Sequence, residues 1–200
     1  METKLSKKEQ ILDAALKLFA DRGYDGVGVD EIADSVGIKG PALYHYFKGK
    51  EALLDTLIDQ IEAYYCENFG TAEKMGRLPE TMEEFIAASQ KRLQFTLHDE
   101  RIRNVRRMMA MEQFRNRKIA ALTSAHQLEG VMRLNRVCIE HLIACGQLKD
   151  LGSEMMALEY TAPVSLLIQH NDREPEREAE FLAMAERHMR HFAEVYGTGR

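Results

Sequence analysis

Apolar residues recur at helical spacing along almost the whole of this 200-residue chain, and no stretch alternates apolar and polar residues as a half-buried strand would. That periodicity restricts the fold to an all-α one. Only four prolines and thirteen glycines punctuate it, so long helices are permitted. No internal repeat or low-complexity tract interrupts the pattern.

The punctuation gives an order of about nine helices. Ser6 with Glu9 three residues later has the form of a capping box. Behind it Ile11, Leu12, Ala15, Leu18 and Phe19 line one face, and Gly23 is a stop. Residues 29–36 read as a short second helix with Ile32, Ala33 and Val36 inward, broken at Gly37. Pro41 suits the first turn of a third helix through Tyr46. Further helices are expected over 51–69, 80–97, 101–113 and 118–145, with a loop over 70–79. Ser153 is a candidate cap for a helix to His170, Asn171-Asp172 a break, and Pro175 the first turn of a last helix ending at Tyr196-Gly197.

Short helices followed by long ones divide the chain into residues 1–50 and 51–200. The net charge of −5 argues weakly against nucleic acid. Residues 1–50, however, carry eight basic and eight acidic side chains, so the excess lies in the remainder, with nineteen against twenty-four. A neutral head can still meet DNA if its lysines share a face.

Residues 28–47 have the form helix, glycine-centred turn, helix, which is that of a DNA-reading helix-turn-helix. Ala33 is small enough for close helix approach, and Gly37 permits a left-handed turn. A third helix this short needs support from its neighbours. Its free face would carry Lys39, Gly40, Pro41, Ala42, Tyr44 and His45, with Lys48 and Lys50 flanking as phosphate partners. On spacing alone, a helical hairpin with a merely polar surface fits equally well.

The run Ile11-Leu12-Asp13-Ala14-Ala15-Leu16-Lys17-Leu18-Phe19, then Gly23-Tyr24, resembles the first helix of TetR-family regulators. Asp30-Glu31-Ile32-Ala33, Gly37 to Phe47 and Lys50-Glu51-Ala52-Leu53-Leu54 resemble the rest of that family's DNA-binding signature, in the same order. The resemblance covers about the first quarter of the chain. It implies a non-enzymatic, cytoplasmic transcriptional regulator, in the usual case a repressor. It implies an N-terminal helix-turn-helix domain (1–50) on double-stranded operator DNA, and a helical effector-binding and dimerisation domain (51–200). The last two helices would form the homodimer bundle, with Tyr160, Val164 and Leu167 on one stripe and Phe181, Met184, His188 and Phe192 on the other. A small effector would release a palindromic operator, with the helix over 51–69 as the lever. Two positions depart from the family. Gly28 stands where a hydroxyl residue usually caps the second helix and touches phosphate, and Lys39 stands where serine is frequent. Gly28 therefore joins the DNA-contact set with an altered role.

Methionine and aromatic side chains in the middle helices are mostly ordinary core. Under the resemblance some would line an effector cavity, and the candidates are Tyr65, Phe69, Phe85, Phe95, Met108, Met111 and Phe114. The basic run Arg101, Arg103, Arg106, Arg107, Arg115, Arg117 and Lys118 is either a solvated face or a set of contacts to the DNA-binding head.

Cys66, Cys138 and Cys145 match no zinc spacing and read as buried small hydrophobes. His188 and His191 lack further ligands, so neither metal nor cofactor is expected. No phosphate-binding glycine loop or paired-carboxylate pattern supports an enzyme. The N-terminus does not read as a secretory signal, and no apolar run approaches membrane-spanning length.

Overall fold

The computed structural model describes residues 5–70 and 76–199. Helices account for most of it: α1 (Lys7–Arg22), α2 (Val29–Ser35), α3 (Gly40–Leu43), α4 (Lys50–Phe69), α5 (Met82–His98), α6 (Glu100–Glu112), α7 (Arg117–Ser124), α8 (Gly130–Ala144), α9 (Ser153–Arg173) and α10 (Glu178–Tyr196). A π-helical turn, Ala125–Glu129, joins α7 to α8 without a break, so the described residues form nine continuous helices. The all-α expectation therefore holds. No helix among the described residues is long and apolar enough to cross a membrane. Of the loop expected over 70–79, residues 71–75 lie outside the described residues, as do residues 1–4 at the N-terminus.

The helices fall into two compact units, one of Met1–Asn68 with Glu100–Thr123, the other of Phe69–Asp99 with Ser124–Arg200. In the first, α1 starts on the anticipated box. The Ser6 hydroxyl accepts from the Glu9 N–H at 3.3 Å, and the Ser6 N–H donates to Glu9 Oε2 at 2.7 Å. It stops at Gly23, whose φ of 74° is left-handed. Ile11, Leu12, Ala15, Leu16 and Phe19 are buried against Ile32, Leu43, Leu53 and Leu57, and α6 and α7 add Val105, Met108, Met109, Ile119 and Leu122 to the same core. Local pattern alone does not reveal this last contribution.

The second unit is built round Tyr160, stacked on Phe85 (centroids 4.7 Å apart) and meeting Phe192 edge-on (4.9 Å). Cys138, Ile139, Leu142, Met156 and Met189 fill in around this trio. Its chain end is sewn to the α8–α9 connection. The Lys149 N–H donates to Tyr196 O at 2.9 Å, and the Thr198 N–H to Gln147 O at 3.1 Å.

Four local expectations are corrected. Ser153 is not the cap of α9. Gly152 is, while the Ser153 hydroxyl donates to Glu140 at 2.9 Å. Asn171-Asp172 does not break the chain, because Asn171 is buried inside α9 and the helix ends only before Glu174-Pro175, where proline disfavours further helix. Only Cys138 is a buried thiol, whereas Cys66 and Cys145 are exposed. In the proposed dimer stripes, Tyr160, Phe181 and Phe192 belong to the core of the unit itself, and His188 sets Nε2 3.1 Å from the Tyr160 carbonyl. Of the expected stripe residues Met184 is left in solvent, and beside it α9 and α10 expose Met155, Leu166 and Val195, which were not in the stripes.

Candidate nucleic-acid interface

The α2–α3 hairpin turns at Gly37, with φ 72°, and the Ile38 N–H donates back to Ala33 O at 3.0 Å. Lys7 closes the open end of α2 from α1, its ammonium donating to Val36 O at 3.1 Å, where the helix C-terminus favours a cation. α3 is a single turn followed by turn residues through Tyr46. Too short to persist alone, it is held by Leu43 (fully buried) and Phe47 (nearly so), which sink into the first core.

That anchorage turns the other side outward. Lys39, Pro41, Tyr44, His45 and Lys48 are exposed, Tyr44 by 56%. Tyr46, absent from the expected set, is exposed as well, at 42%. The alternation Tyr44-His45-Tyr46-Phe47 hints at this, but within one turn helical geometry does not decide which ring goes in.

Three expected contacts are placed differently from the rest. Gly40 is buried, and a Cβ there would lie 1.9 Å from Asp30 Oδ1, so its glycine permits close packing of α2 on α3. Ala42 is half-buried. Lys50 is half-buried too, with its ammonium 4.1 Å from the Tyr24 ring centroid, a cation–π contact that points it back along the protein.

Gly28 is exposed, and its N–H donates to Glu31 Oε2 at 2.7 Å. Glu31 thus supplies the returning half of a capping box whose hydroxyl half is missing. Its other oxygen meets Arg22 at 2.8 Å, tying the end of α1 to α2. The Arg22 contact, then the Gly28 N–H, hold the Glu31 carboxyl below its ordinary 4.5. A depressed carboxyl stabilises the fold above its unfolded value and loses that contribution as pH falls through the folded one. The Gly28 amide resonance should accordingly titrate with an apparent pKa under 4.5. A midpoint at or above 4.5 would remove this account of the α2 start.

The basic run of α6–α7 resolves in part into contacts with α1 and α4. Arg107 meets Asp21 at 3.1 Å, and Lys118 meets Glu51 at 3.1 Å and Asp55 at 2.5 Å. Arg101 donates to Gln60 Oε1 at 3.0 Å, approaches Asp13 at 3.8 Å and lies over the Tyr64 ring. Arg103, Arg115 and Arg117 remain exposed. A further link was not foreseen. Glu112, 3% exposed, accepts the Tyr24 N–H at 2.9 Å, and a Cβ on Gly23 would fall 2.5 Å from the same oxygen. No motif marks it, since an acid eighty-eight residues from its partner looks like any surface glutamate.

The expected cavity residues do not gather in one place. Met108 is core of the first unit, while Met111 and Phe114 stand on its surface at 43% and 91% exposure. Tyr65 packs half-buried on that same core. In the second unit Phe69 meets Phe95 edge-on, with centroids 5.5 Å apart, and Phe85 lies under Tyr160. Among the described residues no group of three or more His, Cys, Asp and Glu side chains could hold a metal ion.

A one-turn helix braced from below and bared above, set after a glycine turn, defines a helix-turn-helix protein. Residues 11–57 match the family model described as bacterial regulatory proteins, tetR family. The chain is 35% identical over 60 residues to the biofilm operon icaADBC HTH-type negative transcriptional regulator IcaR of Staphylococcus epidermidis, covering 30% of this chain and 32% of that one. To IcaR of Staphylococcus aureus strain Newman it is 44% identical over 48 residues, covering 24% and 26%. These matches thus span a quarter to a third of the relatives' lengths. SmeT, the repressor of the Stenotrophomonas maltophilia multidrug efflux pump SmeDEF, superposes with a TM-score of 0.71 at 18% identity, over 97% of this chain and 92% of its own. Its complex with triclosan gives 0.76 at 18% identity, over 96% and 92%. Residues 11–57 are thus similar to the DNA-binding region of tetR-family regulators, and the fold of the whole chain is that of the solved structures.

Proposed function

We propose that this protein is a homodimeric transcriptional repressor that holds a palindromic operator and releases it on binding a small effector. The observation that carries the reading is the bared face of α3, where Lys39, Tyr44, His45 and Lys48 stand over the buried Leu43 and Phe47. Residues 1–50 serve as the reading head and 51–200 as the effector-binding and dimerisation part. IcaR, a negative regulator, and SmeT, a repressor solved with triclosan, support the sense of regulation and the small-molecule input. Gly28, Gly40, Pro41, Ala42 and Lys50 shape or flank the contact surface, and Lys39 and Lys48 meet phosphates. The last two helices pair the protomers through Met155, Leu166, Met184 and Val195, which are otherwise apolar surface without a use. Two-fold pairing sets two reading heads at a fixed spacing, as successive half-sites require. An effector that favours another spacing lowers operator affinity by its own preference between the two states.

Gel-shift titration against DNA upstream of the protein's own coding sequence tests the reading. Specific, competable binding is expected, and its absence across the neighbouring promoters would overturn it. Lys39→Ala should weaken binding on every sequence and reduce the slope of log affinity against log salt by about 1 per head. An unchanged slope would remove Lys39 from the phosphate contacts.

A further inference from the structure

One contact between α7 and α4 serves neither the reading face nor the core. Asn116 starts α7, its Oδ1 accepting from the Lys118 N–H at 3.0 Å and the Ile119 N–H at 3.4 Å. Lys118 therefore stands in the first turn of α7, where the helix macrodipole disfavours a cation. Two carboxylates offset that placement. The Lys118 ammonium meets Glu51 Oε1 at 3.1 Å and Asp55 Oδ1 at 2.5 Å, and the two acids, a helical turn apart, share one face of α4.

The fold does not depend on this contact. The Lys118, Glu51 and Asp55 side chains are 45%, 78% and 50% exposed, and ion pairs this exposed add little to stability. What sets it apart is where it falls. Glu51 stands in the first turn of α4, three residues after the exposed Lys48, and so at most about 11 Å from it along the chain. The Debye length is about 10 Å at 0.1 M salt, so a phosphate held by Lys48 feels the Glu51 charge. Residues 1–50 have no net positive charge with which to absorb two further acids. α2 repeats the arrangement, since Glu31 in its first turn meets Arg22 at 2.8 Å. The helices on either side of α3 in the chain thus each begin with an acid that a cation covers. For α2 the cation comes from α1, but for α4 it comes from α7, far outside the helix-turn-helix.

We propose that Lys118 masks Glu51 and Asp55 from the phosphates of bound DNA, and so sets DNA affinity without touching DNA itself. The inference rests on the DNA-binding reading above and extends it to a residue of α7. With Lys118 in place the three side chains carry one net negative charge; without it they carry two, at the edge of the surface that meets phosphate. One charge about 10 Å from a phosphate changes affinity about twofold in water. One lysine acting on two phosphates in each of two heads therefore amounts to ~10-fold at low salt.

The test uses the full-length protein and two duplexes of equal length, one from DNA upstream of its own coding sequence and one unrelated. Fluorescence-anisotropy titrations are run at about 0.05 M and about 0.4 M salt, where the Debye length is about 14 Å and about 5 Å. Lys118→Gln should weaken binding to both duplexes by ~10-fold at the lower salt and by no more than ~2-fold at the higher. Its Tm should stay within about 2 °C of the unsubstituted protein. Lys118→Arg should bind as the unsubstituted protein does. Adding Glu51→Gln and Asp55→Asn to Lys118→Gln should restore the affinity in full or exceed it, because no carboxylate is then left to mask.

Three results would each overturn the mask. The first is equal affinity of Lys118→Gln and the unsubstituted protein at low salt. The second is a deficit undiminished at high salt, which marks a structural role. The third is a deficit that Glu51→Gln with Asp55→Asn does not restore, which marks Lys118 as a phosphate contact in its own right. The two duplexes keep the claims apart, because phosphates are common to every sequence. A protein that prefers neither duplex yet shows the Lys118 pattern on both sinks only the repressor reading. Specific binding to the upstream DNA that is indifferent to Lys118→Gln sinks only the mask.

Discussion

Leu166→Glu should give a monomer that no longer retains a palindromic operator. Leu166 is 54% exposed on α9, and Met155, on the same helix, is 57% exposed. Across from this expected seam, Met184 and Val195 of α10 are similarly bare. In a two-fold interface one substitution acts twice. Each lost leucine removes about 1.5–3 kcal/mol of burial, and each new carboxylate adds a desolvation cost. Dimer affinity should therefore fall by about three orders of magnitude or more. Sedimentation should report the monomer mass, and gel shifts should show only weak binding with native helicity retained. A Leu166→Glu protein that still sediments as a dimer would remove this face from the interface.

The largest effect on stability is expected from Phe19→Ala. The ring is wholly buried in the first core and lies 5.3 Å, centroid to centroid, from Tyr24, over which Lys50 sits. Truncation leaves a cavity that the surrounding α1, α4 and α6 side chains cannot fill, at a cost of about 3–5 kcal/mol. The Tm should fall by roughly 10 °C in a chain of this size. Phe114→Ala is the natural comparison, because its ring is 91% exposed and its loss should change stability by no more than about 0.5 kcal/mol. Similar losses from both substitutions would contradict the core assignment.

These two phenylalanines also mark where the sequence is readable. Phe19 sits at helical spacing from Ile11, Leu12 and Ala15, and four residues before a glycine stop, so its burial follows from local pattern. The Ser6 box, the Gly37 turn and Pro41 are legible for the same reason, since each acts within four residues. Phe114 has no such frame. It follows α6 in a turn, where periodicity says nothing about direction. On α9, apolar residues occur all round the helix, so Leu166 and Leu167 cannot be told apart without knowing what lies beside them. The contacts of α6 and α7 with α4 are hidden by distance. Lys118 meets Glu51 across sixty-seven positions, and charge alone leaves its partner open among many acids. The bared surface of α3 was largely readable because the family motif is local. The aromatic trio of the second unit was not, because Phe85, Tyr160 and Phe192 come together only when three helices pack.

The contribution of α6 and α7 to the first core bears on how such regulators can be recombined. Val105, Met108, Met109, Ile119 and Leu122 pack with α1 and α4, and Glu112 holds the turn after α1. A DNA-reading module cut after residue 50 would leave those apolar surfaces bare and the Tyr24 amide without its acceptor. Grafting this head onto another sensor therefore means transplanting two separate stretches of chain, with thirty-one residues of the body it was meant to leave behind lying between them.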